Sequence, residues 1–99
     1  MYDMKNLSKL SKLGENSQQS MKAFQDLSEA AFKGGEIPLK YKELIAVGVA
    51  LSKQCSYCIE VHKTNAIKAG ATETELAETV FISSAIGAGA AVTHGTHLF

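Results

Sequence analysis

The segment Cys55-Ser56-Tyr57-Cys58-Ile59-Glu60-Val61-His62 holds the residues best suited to chemistry in this chain. Positions i, i+3 and i+7 of a helix line up along one stripe, so both sulfurs and the imidazole can share a face. Cys58 and His62 stand at i and i+4, near enough for the ring to take a thiol proton directly or through one water. The thiolate is the reactive form of cysteine. The first turn of a helix adds the positive end of the dipole, which favours that form and its attack on an electrophilic sulfur or oxygen. Once one cysteine is oxidised to a sulfenic acid, the neighbouring thiol can condense with it, forming a disulfide and releasing water. Glu43 lies twelve residues before Cys55, on the preceding predicted helix. An antiparallel return brings its carboxylate toward the cluster, where it can orient the imidazole and move protons.

Plainer readings compete with this one. A Cys-x-x-Cys pair can be two buried small residues, and it is His62 in register that argues otherwise. Two cysteines, His62 and Glu43 also make four acceptable zinc ligands, although structural zinc sites draw their ligands from two separated segments closed by knuckle turns. Covalent haem attachment needs a histidine directly after the second cysteine, where Ile59 stands. Glu43 taken alone reads as a solvated charge. Tyr57 reads as a packing residue that can also offer its hydroxyl to the site. His94 and His97 are assigned no chemistry beyond adventitious metal. Gly87-Ala88-Gly89 reads as close packing, since it follows no strand and lacks the spacing of a phosphate loop. No cofactor and no resident metal are expected.

The elements that must position these residues are all helical. Met4, Leu7, Leu10 and Leu13 predict a short amphipathic segment broken at Gly14. Met21, Phe24, Leu27, Ala31 and Phe32 predict a helix from about Ser17, stopped by Gly34-Gly35. Leu39 to Lys53, preceded by Pro38, reads as a mostly buried helix in which Gly48 permits close contact. Cys55 to Ala69 forms the next, closed by Gly70 in the left-handed conformation. Thr72-Glu73-Thr74-Glu75 is a capping box opening a last helix rich in Ala and Gly. Its weakly polar stretch from Val80 to Val92 reads as buried and too short to span a membrane, which takes roughly 20 residues. No strand pattern or repeat is present. The 99 residues make a single all-α domain, a helical bundle with short connections.

Composition narrows the partners. Ten basic and ten acidic residues cancel without forming blocks, which removes the footprint of a nucleic-acid or anionic-membrane binder. The apolar content of 45% beside 20% charge leans toward self-association. The first residues lead into no apolar run of signal-peptide length, so a cytoplasmic location is expected. In that compartment a Cys-x-x-Cys pair points to redox or metal chemistry more than to a structural staple.

Glu43, eleven intervening residues, Cys55-x-x-Cys58, three more and His62 resemble the signature of the alkylhydroperoxidase D (AhpD-like) group of the carboxymuconolactone decarboxylase superfamily. The similarity runs from about Ile37 through Gly70-Ala71-Thr72 and Glu75 into the last helix. The resemblance implies an AhpD-like helical bundle completed by oligomerisation, as trimers or as hexamers built from dimers. It implies thiol peroxidase or disulfide reductase activity on a hydroperoxide, with an external dithiol or a peroxiredoxin-type partner completing turnover. It makes Cys58 the sulfur that becomes the sulfenic acid, Cys55 the proton donor and resolving thiol, and Glu43 and His62 the proton relay. Two departures bear on this. Tyr57 stands where some members carry a second histidine, and longer members contain two copies of the helical unit. Decarboxylating relatives lack the cysteine pair, so lactone decarboxylation fits poorly. A redox adaptor or sensor that passes disulfides without peroxidase turnover, and a structural metal-binding assembly unit, stay open beside the peroxidase reading.

Overall fold

The computed structural model describes residues 2–99, and among them every regular element is a helix. A 3-10 turn over Met4–Lys9 is capped by Asp3, whose carboxylate accepts the Lys5 N–H at 2.9 Å. It runs directly into α1 (Leu10–Asn16). Gly14 was expected to break this segment, but the helix passes through it. A single glycine costs a helix about 1 kcal/mol relative to alanine without ending it. The break comes at Ser17, whose backbone leaves the helical region. α2 follows over Gln18–Phe32. It stops one residue before the expected glycine pair, because Lys33 is already extended and the Lys42 ammonium takes the carbonyls of Ala31 and Lys33.

α3 (Leu39–Lys53) and α4 (Ser56–Lys68) form an antiparallel hairpin joined by only Gln54 and Cys55. The turn is a Schellman motif: Gln54 adopts the left-handed conformation at φ 56°, and the Cys55 N–H reaches back to the Ala50 carbonyl at 3.0 Å. A second such stop ends α4, with Gly70 at φ 100° and the Ala71 N–H on the Ala66 carbonyl. At φ 100° a side chain would be strained, so this position needs glycine. Both bonds of the expected capping box form between Thr72 and Glu75, and they open α5 (Glu73–His94). A final 3-10 turn covers Gly95–Leu98.

α3 lies between α4 and α5. The side chains removed from solvent are few: Val47, Ala50 and Ala66, with the carboxylate of Glu43. Gly48 does face α5 as expected, since a Cβ there would stand 3.5 Å from the Thr79 methyl, and the Ser83 hydroxyl donates to the Gly48 carbonyl.

Two expectations about burial do not hold within one chain. α4 and α5 cover α3 incompletely, leaving Tyr41, Ile45 and Val49 exposed along an open apolar groove between α3 and α5. The Val80 to Val92 stretch is exposed rather than buried, with Phe81, Ile82 and Ile86 each about two-thirds or more accessible. One face of α5 meets α3, and the described residues place no further layer over these side chains. The length argument against a membrane span also changes. The helical run from Glu73 to Leu98 is continuous, and by length and composition alone it suffices to cross a bilayer.

Candidate redox site

Cys55 is the N-cap of α4 rather than its first helical residue. Its sulfur accepts the Cys58 N–H at 3.2 Å, doing for this helix what a serine oxygen does for most. The hairpin turn thus places one sulfur at the mouth of α4 and the other in its first turn. The two cysteines are joined as a disulfide, with their Cα atoms 5.3 Å apart. Both are half-buried.

One turn beyond Cys58, His62 turns toward α3. Its Nδ1 lies 2.7 Å from Oε2 of Glu43, a carboxylate only 4% exposed. The antiparallel pairing expected to deliver Glu43 therefore does so, with the histidine as its direct partner. An ionised Glu43 can only accept, so in that state Nδ1 carries the hydrogen of this bond and Nε2 is the ring nitrogen left to exchange a proton. This fixes which nitrogen is available for exchange with a thiol. The imidazole face is covered as well. The Phe32 ring, at the end of α2, stacks on it with centroids 4.9 Å apart and planes 7° from parallel.

Tyr57, between the cysteines, faces the N-terminal segment. Its hydroxyl accepts from the Asn6 side chain at 2.9 Å, and its ring meets Tyr2 edge-on at 5.1 Å. His94 and His97 pair with each other edge-to-face at the C-terminal end. Among the described residues, no group of three or more His, Cys, Asp or Glu side chains is disposed to hold a metal ion.

The structure brings together the expected Glu43 with His62 and Cys55 with Cys58, and it adds contacts of Phe32, Lys42 and Asn6 that sequence reasoning did not anticipate. Phe32 is indistinguishable in pattern from its helix's apolar face. No local spacing links position 6 to position 57.

The sequence profile of the carboxymuconolactone decarboxylase family matches residues 18–99, which include Glu43, Cys55, Cys58 and His62. The chain belongs to that family. The 3-10 turn and α1 precede the family region, whereas α2 to α5 make it up. An uncharacterised protein of Cupriavidus necator is 39% identical over 77 residues, covering 78% of this chain and 68% of that protein. An uncharacterised protein of the cox locus in Paracoccus denitrificans is 40% identical over 72 residues, covering 73% of this chain and 65% of that one. The chain therefore spans about two-thirds of the length of each. Among solved structures, a carboxymuconolactone decarboxylase family protein of Legionella pneumophila, in its apo form, superposes with a TM-score of 0.77 at 34% identity. That match covers 91% of this chain and 80% of the other. A Methanobacterium thermoautotrophicum protein superposes at 0.80 with 30% identity, covering 86% and 96%. The family fold runs through α5, so the apolar helix is an element of that fold.

Proposed function

We propose that this chain is a thiol-dependent peroxidase and disulfide oxidoreductase of the alkylhydroperoxidase D type. The observation that carries the reading is the Glu43–His62 hydrogen bond one turn beyond the Cys58 half of a disulfide. In the reduced chain, His62 Nε2 takes the Cys58 proton, and the thiolate attacks the distal oxygen of a hydroperoxide. The O–O bond breaks, the alcohol leaves with a proton returned by His62, and Cys58 becomes a sulfenic acid. The Cys55 sulfur then attacks that sulfur, hydroxide leaves as water, and the disulfide forms. An external dithiol or peroxiredoxin-type partner supplies the two electrons and two protons that reopen it. Glu43 holds the imidazole in the tautomer this cycle requires.

Peroxide consumption by wild type, Cys58→Ser and His62→Ala, with a dithiol as reductant, tests the reading. Turnover in wild type alone is expected, and equal rates across all three contradict it. The half-buried, helix-capping position of the pair also favours a second reading, a disulfide-passing adaptor or sensor. Fast thiol–disulfide exchange with negligible peroxide turnover selects that one. Near-stoichiometric zinc that blocks thiol labelling, in protein purified without added metal, overturns both.

The working unit in this proposal is an assembly of copies in the cytoplasm, a trimer or a hexamer built from dimers. A single chain presents 7758 Å² to solvent, roughly 40% more than the about 5,500 Å² typical of a folded monomer of its mass. Its radius of gyration is 16.2 Å, against about 13 Å for a compact domain of this length. α2, α3 and α5 all carry exposed apolar side chains, and the excess is large enough for an obligate interface of about 2,000 Å² or more.

A further inference from the structure

Phe32 and Lys42 belong to no redox motif, yet together they reach the imidazole. Phe32 is the last residue of α2, and its ring lies flat against His62. The imidazole is thus held in two independent ways. In its plane, the Nδ1–H is tied to Glu43. On its face, the stacked phenyl limits rotation of the ring plane, which one hydrogen bond leaves free to swing about the N–H···O axis.

The phenyl in turn has to be placed. The end of α2 meets the α3–α4 hairpin through Phe32 and the Ala31 carbonyl, while its Phe24 and Leu27 stand exposed. At that end the Lys42 ammonium donates to the carbonyls of Ala31 at 2.8 Å and Lys33 at 2.6 Å, the two residues that bracket Phe32. A cation on the last carbonyls of a helix also opposes the negative end of its dipole. Lys42 directly precedes Glu43 on α3. Two consecutive residues therefore fix the imidazole, one by its edge and the other through the aromatic ring resting on its face.

We infer that Phe32, seated by Lys42, is a positioning residue for His62. It sets the plane of the imidazole so that Nε2 stays directed for proton exchange with the cysteine pair. The inference rests on the reading of His62 as the proton carrier and adds an element that reading does not contain.

Three variants separate positioning from simple packing. Phe32→Leu keeps apolar bulk and removes the flat face, Phe32→Tyr keeps the face, and Lys42→Met keeps the stem and removes the ammonium. Two readouts are made on variants whose helicity and thermal midpoint match wild type. The first is the chemical shift of the His62 ring protons, which a stacked phenyl moves upfield. The second is the rate at which the reduced pair reacts with hydroperoxide and, separately, with an aromatic disulfide reagent. In Phe32→Leu the upfield shift is expected to vanish and both rates to fall about tenfold, the scale of a small misplacement of a reacting group. Phe32→Tyr restores shift and rates, and Lys42→Met falls between. Unchanged rates in Phe32→Leu, or a Phe32→Tyr protein as slow as Phe32→Leu, overturn the inference. A wild type inert to peroxide removes the peroxidase reading alone, because the ring shift and the disulfide-exchange rates still decide the role of Phe32.

Discussion

The α3–α4 hairpin and α5 are adjacent helical elements of one short chain, and they are finished to very different degrees. The hairpin closes on itself. A Schellman turn reverses it within two residues, its arms carry the buried Val47, Ala50 and Ala66, and the buried Glu43 finds His62 across the interface. α5 has a complete capping box at its start and then carries Phe81, Ile82, Ile86 and Val92 into solvent. Local chemistry completes the first region, whereas the second keeps its apolar face open to solvent, the face that the proposed assembly would cover. The proposed catalytic constellation thus lies within one chain, and the proposed assembly would add its stability at α5.

The sharpest way to break that division is at the sulfurs. Cys58→Ser is expected to lower peroxide turnover to background while the oligomer, measured by light scattering, keeps its mass. Next is the carboxylate. Glu43→Ala leaves a half-buried imidazole without its acceptor and opens a gap beside it, and is expected to cost about 2–3 kcal/mol in chemical denaturation. Glu43→Gln, which keeps the volume, should retain most of the stability and still slow peroxide reduction about tenfold to a hundredfold, because an amide oxygen orients the ring less firmly.

The converse test acts on α5. Ile82→Asp with Ile86→Asp places charges on the exposed apolar face, and is expected to yield a smaller species by sedimentation with a lower thermal midpoint. The Cys55–Cys58 disulfide should still form in it on oxidation. A variant that keeps the assembly's mass removes α5 from the interface.

A smaller effect is expected at the cap. Thr72→Ala removes the side-chain acceptor for the Glu75 N–H and should cost about 1 kcal/mol. The Glu75 carboxyl is held below its usual value first by the Thr72 N–H and then by Lys40. A lowered folded-state value means a contribution that is complete above the unfolded carboxylate value and is lost as pH falls through the folded one. Acid titration of wild type against Glu75→Gln should therefore converge in stability at low pH and diverge toward neutrality. Smallest of all is Tyr57→Phe, which deletes the acceptor for Asn6 and should speed amide exchange in the first turn of the chain with little change in melting.

The hairpin was legible in the sequence because its signals are local. Pro38 before Leu39, the helical spacing of Cys58 and His62, Gly70 and the Thr72–Glu75 box each act within a few residues, and each forms, while Cys55 stands one place outside the helix as its cap. Glu43 was legible through one further step, the antiparallel return. The exposed α5 was not, since an apolar helix has the same composition whether its own chain or a second copy covers it. Phe32 was hidden for a related reason: an aromatic at the end of an apolar stripe carries no mark that its partner is an imidazole. The continuation of α1 through Gly14 shows that a lone glycine weakens a helix without ending it, and Ser17 does the stopping.

The most direct test of the central claim is a single-turnover measurement on fully reduced protein mixed with one equivalent of an organic hydroperoxide, followed by free-thiol content and mass. The account predicts that the Cys55–Cys58 disulfide forms as one peroxide is consumed per chain, much faster than a free cysteine reacts, with His62→Ala reduced toward that free-thiol rate. Disulfide formation no faster than in a free dithiol, or equally fast without His62, contradicts it.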